Sequence, residues 1–375
     1  MKNKTKFILI ILIFLISCNE DERRDNNFYE NVVKGKTVVL KKVRQFVIRE
    51  KSDSFIGNFL FVKYRMNYLV IADYLQPILF FIDKSNGQIV KTIKFKRGRG
   101  PGEVLKIGSF EILKNRIYIS DMGNFRWSVF DTSGNYIMTA NPFVDAPKTS
   151  SEEKKGGYEG NGNIMDIYED KIYNCIIEAK YNRDLHQHKS KALVILDSTL
   201  TIKKSFGFMD EIFGKFKTYF INAMLTVDDN GYIFFTQAPT YRIYKFYKDG
   251  SFIKAFGIQG KFRMIEEDIP TNLAIPEIIK KTLTFSVSDA IFSYPKGYVL
   301  HQFLDRTEKL YETNNLLDNN YYLKVYDTEG NYINSDLKLP GWLISVDEKG
   351  LLYIYENNEP ENRIVGIYEL NTIKK

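Results

Sequence analysis

The sequence predicts an all-β protein: a six-bladed β-propeller of four-stranded antiparallel blades, closed into a ring by an N-terminal strand. The first observation is that helical periodicity is almost absent, while 28 Phe and 25 Tyr supply residues that favour pleated, half-buried surfaces. The second is a recurring unit of an apolar-alternating run, a polar turn, a second run ending near Asp, and a tight Gly turn. The 375 residues suffice for one large all-β domain.

Tight turns with Asp and Gly mark the ends of the repeated units. An Asp carboxylate can cap a turn, and Gly accepts the positive φ that a hairpin demands. The turns are DKSNG at 83–87, DTSG at 131–134, KDG at 248–250 and DTEG at 327–330.

Six copies of the unit are recognisable, which favours a propeller over a sandwich because sandwich strands lack such a long repeat. Five or seven blades remain alternatives. The six copies begin near Asn58, Ser109, Asn163, Phe220, Ser286 and Trp342.

The last copy lacks an outer strand, and residues 36–49 alternate well without a blade of their own. We expect them to supply that strand and close the ring, which hides open sheet edges. The single propeller domain is therefore placed at 36–375. Three stretches interrupt the repeat: a polar loop at 142–162, a segment at 264–283 with one short helix after Pro276, and an insertion at 306–320.

The N-terminal sequence is typical of an export signal. Lys2, Lys4 and Lys6 precede the apolar run FILIILIFLI at 7–16, which is too short to span a bilayer as a helix. The following Leu-Ile-Ser-Cys resembles a bacterial lipobox, so we expect a signal peptide at 1–17 and lipidation of Cys18. The alternatives are an ordinary signal peptide with a coincidental cysteine, or an N-terminal membrane anchor. Acylation of Cys18 would supply enough lipid for stable anchoring.

Residues 18–35 are expected to form the acylated cysteine and a polar tether. The tether begins NEDERRDNN, which resembles acidic export signals of surface lipoproteins in Bacteroidota, although a simple spacer fits equally. Loss of residues 1–17 removes three lysines and lowers the formal charge from +7 to +4. This mild charge gives no reason to expect a nucleic-acid partner. Cys175 is expected to be a buried small hydrophobe.

The stretch KFKRGRGPGEVLKIG at 94–108 combines glycines with basic residues. It lacks the Gly-Lys-Ser/Thr element of a P-loop, and Glu103 breaks the dinucleotide fingerprint. We interpret it as the crossing between the first two blades. The alternative is a binding role, in which Arg97 and Arg99, with Glu103 nearby, meet an anion or an acidic peptide.

Asp121 and Arg126 flank a turn, and Arg recurs at the equivalent point as Arg242 and Arg363. We expect the Asp–Arg pair to tie one hairpin together, with a ligand role for Arg126 as the alternative. Trp127 is interpreted as a blade-packing residue or, less favoured, as a surface anchor that contacts a ligand.

Candidate metal and catalytic residues are few. His186 and His188 have a spacing that permits metal binding, but no third ligand is evident, so no metal and no cofactor are expected. No catalytic signature is present. Carboxylates near strand ends could contribute to a channel site; they are Glu178, Asp289, Asp305 and Glu356.

Two motifs carry a family resemblance: GRGPGE at 98–103 and IYISDMGNFRWSVFDTSGN at 117–135. Together they resemble the TolB-like or NHL-like six-bladed propeller lipoproteins of Bacteroidota. The match is strong over the first two blades, moderate over the fourth, and weak over the third and fifth. The resemblance implies a propeller and an exported lipoprotein but no defined activity.

We therefore expect a lipid-anchored, non-enzymatic propeller of the cell envelope, on the outer membrane. It would bind a protein, peptide or glycan through its channel-face loops. One alternative is a metal-dependent propeller hydrolase or lactonase. Another is a structural protein that docks on a membrane complex, for which a broad apolar face would be the sign.

Overall fold

The computed structural model describes residues 28–50, 55–57, 59–73, 75–141, 158–178, 190–218, 220–269, 273–333, 336–359 and 362–374. Each of the six blades is a sheet with four antiparallel strands. The innermost strands of neighbouring blades contact one another and form a closed ring. The predicted all-β, six-bladed propeller is confirmed. His186 and His188 lie outside the described residues, as do Cys18 and the signal peptide.

The strands are numbered along the chain, and each blade runs from its innermost to its outermost strand. Two strands precede the blades: β1 (Phe28–Tyr29) and β2 (Lys36–Val47). Blade 1 and the crossing that follows it comprise β3 (Phe59–Arg65), β4 (Tyr68–Asp73), β5 (Ile78–Asp83), β6 (Ile89–Lys94), β7 (Lys96–Arg97) and β8 (Glu103–Val104). Blade 2 comprises β9 (Ile107–Leu113), β10 (Arg116–Asp121), β11 (Arg126–Asp131) and β12 (Tyr136–Ala140).

Blades 3 and 4 follow the same order. Blade 3 comprises β13 (Tyr158–Tyr168), β14 (Lys171–Glu178), β15 (Leu193–Leu196) and β16 (Ile202–Phe206). Blade 4 comprises β17 (Ala223–Val227), β18 (Ile233–Gln237), β19 (Ile243–Phe246) and β20 (Phe252–Phe256), with the short α1 (Ile212–Lys215) before it.

Blade 5 comprises β21 (Ser286–Tyr294), β22 (Tyr298–Asp305), β23 (Asn320–Asp327) and β24 (Leu337–Lys338). The helix α2 (Ile275–Thr282) precedes it, as predicted for the stretch around Pro276. The predicted insertion lies between β22 and β23 and holds α3 (Glu308–Thr313) and a 3₁₀ turn (Leu316–Asp318). None of the helices in the described ranges combines the length and the apolar character required to cross a bilayer.

Blade 6 is closed by the start of the propeller domain. Its strands are β25 (Trp342–Val346), β26 (Leu351–Glu359) and β27 (Asn362–Lys374), and β2 pairs with β27 as the fourth, outermost strand. The register runs from Lys36 opposite Lys374 to Val47 opposite Ile364. The predicted closure of the ring by residues near 36–49 is therefore confirmed.

The predicted Asp turns have a shared construction. Asp131 Oδ1 accepts from the backbone N–H groups of Ser133 and Asn135, and its Oδ2 accepts from the Asn135 side chain. The turn at 327–330 repeats these contacts, and Gly134 has a φ of 90°. A carboxylate that satisfies the turn amides, beside a glycine that tolerates positive φ, explains why this short sequence recurs.

The last residues of the expected tether are paired with the blades. Phe28 and Tyr29 form β1, which adds a fifth, parallel strand to blade 4 opposite Ala255 and Phe256. Farther on, the Asn31 carbonyl accepts from the Tyr332 N–H at 2.7 Å. Residues 28–33 thus lie against blades 4 and 5. Residues 158–162 of the predicted polar loop belong to β13, and residues 142–157 lie outside the described ranges.

The hydrophobic core consists of the seams between neighbouring blades. Aromatic rings meet across these seams, as Phe206 of blade 3 does with Phe246 of blade 4 at 5.4 Å between ring centroids. Cys175 is fully buried in the seam between blades 3 and 4, and burial raises the pKa of its thiol. It is thus a buried small hydrophobe, as expected.

Candidate functional site in the central channel

A central channel runs along the propeller axis and encloses a cavity of about 960 Å³. We call the end of the channel that carries the blade-to-blade crossings the crossing end, and the opposite end the hairpin end. A cavity of this size suits a small or segmental ligand. Each of the six innermost strands contributes to its wall, for example through Phe61, Ile112, Ile167, Leu225, Ala290 and Ile344.

Asp289 is the carboxylate that the crossing end presents to the channel. The pairing of β21 with β22 shifts register between Ser288 and Ala290, so Asp289 occupies a β-bulge. Bulges re-aim side chains and are frequent beside functional sites. Of the carboxylates considered from the sequence, the structure places Asp289 in the channel lining.

Two neighbours hold the Asp289 carboxylate in place. Gln302 Nε2 donates to Oδ2 at 2.7 Å, and Trp342 Nε1 donates to the same oxygen at 2.9 Å. Gln302 also bonds the backbone of Leu343 in blade 6 through both its amide atoms. Within the described part of the chain, Oδ1 accepts no hydrogen bond, so this oxygen is available to a ligand.

The surroundings of Asp289 are weakly polar. Burial raises the pKa of Asp289, and the two hydrogen bonds and the nearby Arg306 lower it only in part. Arg306 lines the same end of the channel, with its guanidinium 4.8 Å from the centroid of the Phe220 ring. The half-buried Trp342 completes the site with an aromatic surface. The crossing end therefore offers a carboxylate oxygen, a cation and an indole on an otherwise largely apolar wall.

Asp289→Asn is expected to leave the propeller as stable as the wild type at pH 7, or to stabilise it, while weakening ligand binding. The amide oxygen can accept from Gln302 and Trp342, and no charge is then buried. Because burial raises the pKa of Asp289, ionisation of this carboxyl lowers the unfolding free energy of the wild type at pH 7. This destabilisation is lost as the pH falls and the carboxyl becomes protonated. Thermal unfolding at pH 7 and pH 4 should show the advantage of the variant shrinking at the lower pH. A marked loss of stability at pH 7 would contradict this role.

Polar bridges link the innermost strands of blades 1 to 4. Glu111 is fully buried and accepts from Arg65 Nε at 2.5 Å and from Lys63 Nζ at 2.6 Å. Arg65 also reaches Asp166 of blade 3 at 3.2 Å, and Asp166 accepts from Thr226 of blade 4. These groups satisfy one another, so we interpret them as structural ties around the channel.

The Gly-rich stretch that links blades 1 and 2 forms a compact crossing. β7 pairs in parallel with β8, and Glu103 accepts from the Gly100 N–H at 2.7 Å and pairs with Lys96 at 2.6 Å. A Cβ added at Gly98 would lie 2.1 Å from Glu103 Oε2, so a larger residue there would push the Glu103 carboxylate out of its place against Gly100. Arg97 and Arg99 are exposed on the same end of the propeller. The structure therefore supports the crossing interpretation of this stretch.

Arg126 clamps this crossing. Its guanidinium donates to the carbonyls of Arg99, Gly100 and Glu103 at 3.1, 2.8 and 2.6 Å, respectively. The expected contact with Asp121 is present at 3.7 Å, although Asp121 mainly accepts from the backbone N–H groups of Leu105 and Lys106 in the crossing and from the Asn124 side chain. The guanidinium thus contacts the crossing more extensively than its own hairpin.

The other predicted residues at this end are structural. Arg363 bonds the Ile56 carbonyl and Glu50, and Arg242 pairs with Glu211 at 2.7 Å. Trp127 is fully buried in the seam between blades 2 and 3, so it is a packing residue rather than a surface anchor. Its side chain has no surface to offer a ligand in this fold.

Replacing Arg126 with Met is expected to cost about 2 kcal/mol of unfolding free energy, because two half-buried carbonyls and one exposed carbonyl lose a charged donor. Replacing the exposed Arg99 with Met is the matched control and should change stability by less than about 0.5 kcal/mol. Urea denaturation of both variants measures the difference. Equal midpoints for Arg126→Met and the wild type would contradict the clamp.

A buried Ser–His pair lies beside the channel, but the directions of its hydrogen bonds exclude activation of the serine by this histidine. Ser288 Oγ donates to the Thr240 carbonyl at 2.5 Å, so His301 Nε2, 2.7 Å away, is the donor to Oγ. Burial and then Lys324 lower the pKa of His301 to about 3. With its Nε2 proton already in place, the imidazole cannot take a proton from Ser288 through this contact.

The remaining carboxylates named from the sequence are occupied elsewhere. Asp305 pairs with Ser286 and Arg263, and Glu356 pairs with Lys42 and Tyr368. Glu178 ends β14, and its side chain lies outside the description. Within the described ranges, no group of three or more His, Cys, Asp or Glu residues is placed to share a metal ion.

Comparisons with known proteins show which solved structures have a similar fold. No protein-family profile and no curated sequence matches the chain. Among solved structures, the chain is similar to a member of the DUF4221 family from Bacteroides vulgatus, with 14% identity and a TM-score of 0.65 over 91% of this chain and 100% of that one. It is also similar to a Bacteroides fragilis protein described as exported, with 14% identity and a TM-score of 0.50 over 92% and 99% of the two chains. At such identities the likeness shows a common fold.

Proposed function

We propose that this protein is an exported, lipid-anchored propeller that binds a partner molecule at the crossing end of its central channel. The observation that carries the binding role is the Asp289 carboxylate, which a bulge places in the channel with one oxygen free beside Trp342. Well-formed channels with a few convergent polar groups are the usual ligand sites of such folds. The partner would be a protein, peptide or glycan that inserts a segment into the channel.

The proposed location is the cell envelope, at the outer membrane. The basic n-region, the apolar run at 7–16 and the lipobox-like sequence before Cys18 support export and acylation. The likeness to a Bacteroides fragilis protein described as exported supports the export part of this proposal. The TolB-like or NHL-like lipoprotein character remains part of the proposal.

Cys18→Ala is expected to release the protein from the membrane fraction or to leave it unprocessed, because the thiol that carries the lipid is gone. Fractionation of cells and labelling with a fatty-acid analogue measure both effects. Cys175→Ala is a control that leaves the proposed lipid site intact. Unchanged fractionation and labelling of Cys18→Ala would contradict the lipid anchor.

The binding role is tested by thermal shift on the mature protein, residues 19–375, with panels of peptides, oligosaccharides and divalent ions. A ligand present at one hundred times its Kd stabilises the folded state by about 2.7 kcal/mol, which raises the Tm by roughly 5 °C. Asp289→Ala should abolish that shift. Asp229→Ala, which removes a carboxylate at the hairpin end of the channel, should preserve it.

Other outcomes would overturn the proposal. A shift that survives Asp289→Ala would place the ligand elsewhere. Metal-dependent turnover of an ester or lactone by the mature protein would instead mark the hydrolase alternative. No response to any panel would leave the channel without a ligand and contradict the binding role.

A further inference from the structure

A second, smaller cavity of about 110 Å³ opens beside the crossing end, between the blade 5 insertion and blade 6. Trp342 and Leu316 line both this side pocket and the channel, so the two cavities are adjacent. The other groups used below are Asn314, Asn315, Tyr355 and Asn358. The 3₁₀ turn of the insertion contacts β26, which brings chain segments far apart in sequence into one wall.

The side pocket is lined with neutral amides that keep hydrogen-bonding capacity. Asn315 Oδ1 accepts from the Leu317 N–H at 3.1 Å and from Asn358 Nδ2 at 3.4 Å, and Asn358 Oδ1 accepts from the Tyr355 hydroxyl at 2.5 Å. Asn315 Nδ2 donates no hydrogen bond within the described residues, and the Asn314 side chain is exposed. Amide groups therefore line this cavity, and among the described residues that line it the Tyr355 phenol is the one ionisable group.

Trp342 separates two complementary polar sites. Its indole N–H is engaged by Asp289, while its half-buried ring borders both cavities. A ligand lying on this ring would meet the acceptor Asp289 Oδ1 on the channel side and the amide donors on the other. Aromatic rings pack well against apolar C–H faces, and amides and carboxylates pair with hydroxyl groups.

We propose that this site binds a neutral saccharide, with one sugar ring on Trp342 and its hydroxyls bonded to Asp289 and to the amides of the side pocket. This rests on the proposed function and names its ligand class. An apolar peptide side chain in the side pocket would leave the amides unpaired, which costs binding free energy. An anionic group would find no cation among the described residues of the side pocket and would be repelled by the Asp289 carboxylate on the channel side. A neutral hydroxyl-bearing ligand satisfies both sides.

Trp342 supplies a built-in reporter for the test. The chain has 2 Trp, and Trp127 is fully buried, so Trp127→Phe leaves Trp342 as the sole indole. This variant is titrated with linear neutral tetrasaccharides of several linkages and with tetrapeptides of matched length, while indole fluorescence is recorded. We expect a saturable change with at least one saccharide and none with the peptides. Trp342→Phe in the wild-type background should abolish the change.

The amide contacts are tested by two further variants in the reporter background. Asn315→Asp keeps the acceptor for Leu317 but removes the free donor, and Asn358→Ala removes the neighbouring amide. Each is expected to weaken the saccharide by about tenfold. Asn230→Ala, an exposed amide in a hairpin turn of blade 4, is the control and should bind normally.

The outcomes separate this inference from the proposed function. Peptide binding that depends on Asp289, without saccharide binding, would contradict a saccharide as the ligand class but would keep the channel as the ligand site. Saccharide binding that is equally strong in both amide variants would contradict the role of the side-pocket amides. A flat fluorescence signal with every saccharide would overturn the saccharide inference; the binding role falls with it only if no ligand in the thermal-shift panels stabilises the protein.

Discussion

Deletion of residues 1–48 is expected to abolish folding of the propeller, whereas deletion of residues 1–35 should leave it folded. The longer deletion removes β2, the outer strand of blade 6, which pairs with β27 along nearly its whole length. It also removes the buried Val38 and Phe46, which pack into two separate seams of the core. The exposed β27 edge would then be open to pairing with other chains.

The matched pair of deletions isolates this strand. Of the described structure, the variant that starts at Lys36 loses β1 and the residues beside it, which contact the outer edges of blades 4 and 5. It should remain soluble and unfold cooperatively, with a modestly lower Tm. Solubility, size-exclusion elution and circular dichroism of both variants measure the contrast. Cooperative unfolding of the variant that lacks residues 1–48 would contradict closure of the ring by β2.

Glu111→Ala is expected to destabilise the protein by about 3 kcal/mol, because it leaves Arg65 and Lys63 without their fully buried partner. For a domain of this size the Tm should fall by roughly 5 to 10 °C. The control is Glu169→Ala, which breaks an exposed pair with Lys248 and should cost less than about 1 kcal/mol. Thermal unfolding of both variants measures the difference. Equal losses would contradict the structural tie.

The same carboxylate predicts a pH dependence of stability. Burial alone would raise the pKa of Glu111, but Arg65 and Lys63 lower it to about 2, against 4.5 in the unfolded chain. A lowered carboxylate pKa contributes stability above the unfolded value, here about 3 kcal/mol, and loses it as the pH falls from about 4.5 to about 2. The Tm difference between wild type and Glu111→Ala should therefore narrow across that acid range. A constant difference would contradict ionisation of Glu111 as the cause.

Local sequence patterns predict much of this fold because the interactions that specify it are local. The alternation of apolar and polar residues defines which face of a strand is buried. In each tight turn the Asp carboxylate, such as that of Asp131, accepts hydrogen bonds from the turn N–H groups, and a glycine such as Gly134 adopts the positive φ that the turn requires. The closing strand is predictable in the same way. Residues near 36–49 have the alternation of a strand but belong to no repeat copy, and the last copy lacks an outer strand. The short helix α2 has Pro276 in its first turn, which is a local signal as well.

The candidate site depends on long-range placement, which local patterns do not reveal. The sequence offers several carboxylates near strand ends, and only the register shift between Ser288 and Ala290 aims Asp289 at the channel. Its partner Trp342 comes from the next blade, more than fifty residues later. The amides of the side pocket meet because the blade 5 insertion packs on blade 6. The length of that insertion is the sequence signal for a functional loop in this part of the chain.

The central claim is that a ligand occupies the crossing end of the channel, and calorimetric titration of a channel-filling variant tests it most directly. Ala290→Phe places a ring in the channel beside Asp289, where Ala290 is half-buried. With the ligand that stabilises the wild type most, we expect one site per wild-type chain and no measurable heat of binding for a folded Ala290→Phe protein. Unchanged affinity and stoichiometry in that variant would contradict the claim.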